Sequence, residues 1–192
     1  GRGVGSVHAA DLSANGVVGH AALIIGLVAS LFGAISLGYA TIVRDRRLLR
    51  TAPNYAWLAG VAGVAAFVIM VRALVVRDFS LAYVQQVGSR STPTLYNLTA
   101  VWSALEGSIL LWLMVLAGYT AIIMWRYRRR LDDALVAWAL VVMFVVLAFF
   151  FLLAFGPTDA FQAGAVGVND GPGPNPLLQN HILVAFHPPM LY

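Results

Sequence analysis

Leu135–Phe155 reads LVAWALVVMFVVLAFFFLLAF, an apolar run that holds no charged residue. A bilayer span needs roughly 20 such residues, and a helix that is apolar on every face belongs in a membrane or a deep core. Working outward, the same character recurs from about Val17 to Val43, Tyr55 to Val76 and Leu98 to Trp125. Hydrophobic residues make up 60% of the 192 and charged residues 10%, where a soluble domain carries about 25% charged. The expected fold is therefore all-α: a polytopic transmembrane helix bundle of about four complete helices and the start of a fifth near residue 189. Residues 1–16 form a separate, polar and glycine-rich N-terminal segment.

All 12 basic residues are arginine, the net charge is +4, and there is no cysteine. On a soluble chain that balance would suggest nucleic acid; here topology explains it, and no nucleic-acid partner is expected. Four arginines follow the first helix (Arg44, Arg46, Arg47, Arg50) and four follow the third (Arg126, Arg128, Arg129, Arg130). Two follow the second helix and none the fourth. The positive-inside rule makes the first pair of loops cytoplasmic. The N-terminus and the loops 77–97 and 156–186 then face outward. Gly26, Ser30, Ala34 and Gly38 lie four apart in helix one, a stripe that lets another helix approach closely. Tyr83 and Tyr96 suit a membrane interface, and the sequon at Asn97 abuts a helix and reads as a chance match. The opening Gly1-Arg2-Gly3 and the ending Met190-Leu191-Tyr192, where a new apolar segment begins, suggest a piece of a longer chain.

Few residues could carry chemistry. Glu106 is the one carboxylate inside a span, about eight residues into helix three and roughly 12 Å deep at 1.5 Å per residue. Trp102 lies one turn above it. An intramembrane acid should face protein or a cavity, and a structural hydrogen bond to a neighbouring helix is the favoured role for Glu106. Arg72, near the end of helix two, can snorkel to the headgroups or bind an anion. His187 precedes Pro188 and Pro189. A residue before proline is pushed to extended conformation, and Pro189 suits the first position of a helix. The imidazole is then held at a helix mouth, where the positive dipole end disfavours imidazolium, and neutral imidazole is the metal-ligating form. His181, six residues earlier, is not spaced to chelate with it. His8 and His20 have no partner pattern.

The segments DFSLAYV (78–84), WSALEGSILLW (102–112), NPLLQN (175–180) and HPPMLY (187–192), in this order, resemble the CcmF family, haem lyases of bacterial cytochrome c maturation. The resemblance covers roughly residues 20–192. It implies a haem-binding protein of the bacterial inner membrane. The family takes haem b from a CcmE-type chaperone. It joins the haem vinyl groups to cysteines of apocytochrome c with CcmH- and CcmI-type partners. It further implies that His187 is an outward-side axial ligand of haem iron, supported by Pro188, Pro189 and Tyr192, with Glu106 and Trp102 as structural support. No catalytic residue follows from it, and the lyase activity attaches to the family as a whole. Asn180-His181-Ile182 departs from the family pattern, so His181 carries no implied role. A membrane transporter of haem or another solute, a paralogue dedicated to one cytochrome such as nitrite reductase, and a scaffold subunit are the rival readings.

Overall fold

A computed structural model describes residues 13–173 and Met190. Seven α-helices form among the described residues: α1 (Ala14–Val43), α2 (Arg46–Leu49), α3 (Ala52–Val75), α4 (Ala82–Val87), α5 (Thr94–Thr99), α6 (Leu105–Tyr127) and α7 (Ala134–Phe155). A single turn of 3-10 helix, Ala100–Trp102, joins α5 towards α6. Four stretches are long and apolar enough to cross a membrane: α1, α2 with α3, α6 and α7. The sequence dictates their ends. Asp133 caps α7, its carboxylate accepting from the Leu135 amide at 2.9 Å, and Gly156-Pro157 ends it. α1 and α3 stop on Arg44 and Arg77, both left-handed at φ 57. The next amide in each case returns to a carbonyl five residues back, Asp45 to Ala40 and Asp78 to Ala73, the bond that closes a helix C-terminus.

One correction concerns the third span. It does not begin near Leu98, because the chain bends at Ser103 and Ala104 and the long helix starts at Leu105. The Ser103 hydroxyl donates to the Ala100 carbonyl at 2.7 Å, which holds the tight turn and interrupts the helix.

The chain divides into two compact units. The first holds, of the described residues, 13–19, 68–108 and 160–173. The second holds His20–Phe67 and Ile109–Asp159. In the second unit, Leu37 and Ala40 of α1, Leu49 of α2, Ala52 and Ala56 of α3, Met124 of α6 and Leu140 and Phe144 of α7 share one core. Phe144 and Phe151 of α7 cover Gly33 and Gly26 of α1, and Gly63 of α3 faces Ala117 of α6, where an added Cβ would lie 2.8 Å from the alanine's. Such contacts are what apolar helices need, since lipid supplies no hydrophobic drive between them. The small-residue stripe expected on α1 is partly seen: Ser30 and Ala34 are buried, whereas Gly38 only touches Val141 at 3.8 Å. Gly33, seven residues from Gly26, is the second close approach. Leu135, Val142, Val145, Phe149 and Leu152 of α7 are exposed, an apolar outer face that suits lipid.

Candidate functional site

The first unit brings together three of the sequence segments singled out above. Residues 80–82 pair with the Gly/Pro-rich stretch: the Ala82 amide donates to Gln162 (2.9 Å), the Gly164 amide to Ser80 (2.7 Å), and Leu81 bridges Ala163. Gln85 extends the seam. Its amide nitrogen donates to the carbonyls of Phe79 (2.7 Å) and Ala165 (2.9 Å), and its oxygen accepts from the Ala165 amide at 3.0 Å. Further along, the Arg90 amide donates to Asp170 at 2.8 Å. That bond and the Gly171 amide hold the Asp170 carboxyl below its ordinary range. The two stretches expected as separate loops thus form one seam over the described residues.

Tyr83 fixes that seam to the WSALEGS segment. Its hydroxyl donates to the Val101 carbonyl (2.8 Å) and shares the proton with Ala100 (3.0 Å). Gly107, in the first turn of α6, packs against the same oxygen: a Cβ there would lie 2.5 Å from it. The phenol therefore fills the gap where the 3-10 turn gives way to α6 and binds the carbonyls of that turn. Burial first, and the Glu106 charge second, push the Tyr83 phenol above its ordinary range, so it remains a donor at neutral pH. Tyr83 is only 3% exposed, which corrects the expectation of an interfacial tyrosine: its hydroxyl is held by turn carbonyls. Tyr96 is half-buried.

Glu106 is the second residue of α6 and belongs to its first turn, not eight residues inside a span. The helix dipole favours a carboxylate there. Oε2 of Glu106 is buried and has no hydrogen-bond partner. The expected bond to a neighbouring helix is therefore not seen at this oxygen. Trp102 ends the 3-10 turn, and its carbonyl accepts from the Ser108 hydroxyl at 3.2 Å.

Arg72 is exposed but tied to α1. Its guanidinium donates to the Asn15 side chain, and Asn15 donates to Asp78 at 2.7 Å. Burial acts to raise the Asp78 pKa, but bonds from Ser13, Ser80 and Asn15 outweigh it and hold the carboxyl below its ordinary range. Asn97 is buried and donates to the Ser89 carbonyl at 3.1 Å, a position closed to a glycosyltransferase. In the second unit, His20 has the partner that sequence did not reveal: Nε2 lies 2.7 Å from Asp159, with the ring edge-on to Phe155. A contact 139 residues away leaves no local signal.

His187, Pro188, Pro189, Tyr192 and His181 lie outside the described residues; Met190, beside them, is helical. Among the described residues no three His, Asp or Glu side chains gather to hold a metal ion, and the imidazole of His20 is engaged by Asp159.

No protein-family model matches the chain. The cytochrome c-type biogenesis protein CcmF of Escherichia coli (strain K12) is 32% identical over 177 residues, 91% of this chain and 27% of that protein. A solved structure described as cytochrome c haem lyase CcmF superposes on all of this chain with a TM-score of 0.73 and 31% identity, covering 29% of the solved chain. This chain belongs to the CcmF family. Its segments DFSLAYV and WSALEGSILLW are the ones the structure joins through Tyr83. The probable cytochrome c-type biogenesis protein NrfE of Escherichia coli (strain K12) is 35% identical over 127 residues, 66% of this chain and 23% of that protein. The chain thus spans about a quarter of the length of the CcmF proteins it matches.

Proposed function

We propose that this chain serves in haem handling during cytochrome c biogenesis, as part of a CcmF-type haem lyase in the bacterial inner membrane. The observation that carries the proposal is the match to CcmF over 91% of the chain together with the shared fold. In this reading the protein takes haem b from a CcmE-type chaperone. It holds the haem for attachment to apocytochrome c, with CcmH- and CcmI-type partners presenting the thiols. The chain's lack of cysteine agrees with thiols supplied in trans. The haem contributes the vinyl groups that the thiols join. The protein's own task is positioning, the main source of rate when two reactants must meet in one geometry. In this reading His187 would hold the iron, Pro188, Pro189 and Tyr192 would support its segment, and Glu106 and Trp102 would lend structural support.

Two tests follow from this assignment. In cells that depend on the full-length protein, Glu106→Gln is expected to keep most c-type cytochrome formation, because it retains the shape while removing the charge beside Tyr83. Glu106→Ala is expected to lower the amount of folded protein. Equal loss of cytochrome in both variants, at normal protein levels, would give the carboxylate a direct part in the chemistry. The second test concerns orientation. Val166 is 61% exposed, and Val166→Cys is expected to react with an impermeant thiol reagent in intact cells. Arg129→Cys, in the basic loop, is expected to resist it. The reverse labelling pattern would invert the topology and put His187 on the wrong face.

A further inference from the structure

The arginines of the second unit converge in space. Arg46 and Arg50, from the loop after α1, meet Arg128 and Arg129, from the loop after α6, around one cavity of about 360 Å³. Leu49, Leu131 and Asp132 complete its lining. Both leucines are buried and belong to the helix core, so the floor is apolar. An adjoining cleft of about 380 Å³, lined by Trp125, Arg126, Arg128 and Arg129, shares two of the four arginines.

The positive-inside rule requires only a count of charges in each loop. It does not require guanidinium groups from two separate loops to converge on one cavity. Among the described residues the side chains of Arg46, Arg50 and Arg129 make no hydrogen bond or ion pair. Arg128 is held in place: it donates to the Trp125 carbonyl at 2.9 Å and stacks over the Trp125 ring at 5.1 Å. Asp132 is the one carboxylate at the rim, which leaves a clear excess of positive charge. Guanidinium offers forked donors that fit phosphate oxygens two at a time.

We propose that this cavity binds the phosphodiester of an anionic phospholipid headgroup. The chemistry is shared with free phosphate, but three features favour lipid. The floor is leucine, the flanking Trp125 and Tyr127 are exposed aromatic residues at the end of a membrane helix, and basic pockets between such helices take anionic headgroups. Acyl chains would lie along the exposed apolar faces while the phosphate enters the cavity. The site is independent of the haem assignment and of which face of the membrane it occupies.

The test uses the full-length protein, purified in a neutral detergent and titrated with phosphatidylglycerol, phosphatidylcholine or inorganic phosphate, with bound lipid read by native mass spectrometry. Phosphatidylglycerol is expected to bind, and Arg50→Gln with Arg129→Gln is expected to weaken it by about tenfold or more. Arg47→Gln with Arg130→Gln removes the same charge from the same loops outside the cavity and is expected to cost no more than about threefold. Should the first pair fail to fold, Arg129→Gln alone is expected to exceed the loss in Arg130→Gln alone. Inorganic phosphate at about 10 mM is expected not to displace the lipid. Equal losses in the two pairs, equal binding of phosphatidylcholine, or displacement by phosphate would each overturn the proposal.

Discussion

Gly107→Ala is expected to destabilise the first unit severely, with folded protein in detergent falling to a small fraction of the parent's. A Cβ at this position would overlap the Val101 carbonyl oxygen and lie 2.5 Å from the Tyr83 hydroxyl. Neither neighbour can yield cheaply. The carbonyl belongs to the 3-10 turn, and the hydroxyl is held by Val101 and Ala100 on one side. Overpacking a tight site costs about 1–3 kcal/mol. Leaving the buried phenol and its carbonyls without partners adds about 1–3 kcal/mol. Tyr83→Phe, which removes the hydroxyl without adding bulk, should lose only the second part. Size-exclusion profiles and thermal midpoints of the three proteins check this. An alanine variant as stable as the parent would show that the turn adapts and that Tyr83 is not its anchor.

His187→Ala in the full-length protein is expected to reduce cytochrome c maturation to below about a tenth of the parent's, with the protein still present in the membrane. From sequence, a residue before proline is expected in extended backbone, and a proline suits the first position of a helix. The positive end of a helix opening there would disfavour imidazolium, and neutral imidazole is the form that ligates iron. Added imidazole should restore part of the activity by filling the vacant coordination position. Normal maturation by the alanine variant would remove His187 from the haem site.

The fold was legible where periodicity was irrelevant. Leu135–Phe155 reads as a span from its apolar run alone, and the helix observed is Ala134–Phe155. Helix three was misread because Asn97 to Trp102 is apolar enough to continue a helix, while the break depends on a side-chain bond from Ser103 and on Tyr83, a residue from another segment. Glu106 moved with that boundary, from mid-span to a first turn. The segments that resemble CcmF were visible, but the way Tyr83 and Gln85 tie them together was not, since hydrogen bonds to turn carbonyls have no composition signature. The His20–Asp159 and Arg72–Asn15–Asp78 contacts were hidden for the same reason: each joins residues 57 to 139 positions apart or depends on one that does. The arginine loops were visible as runs of charge, and their convergence on one cavity needed coordinates.

The account rests on haem held through His187, and the haem absorption spectrum of purified full-length protein tests it most directly. His187→Ala and His181→Ala are compared with the parent at equal protein concentration. His181 is six residues away and carries no family pattern, so its variant is expected to keep the parent's spectrum. His187→Ala is expected to lose the absorption of the outward-side haem. Retention of that haem by His187→Ala, with its loss from His181→Ala, would contradict the assignment.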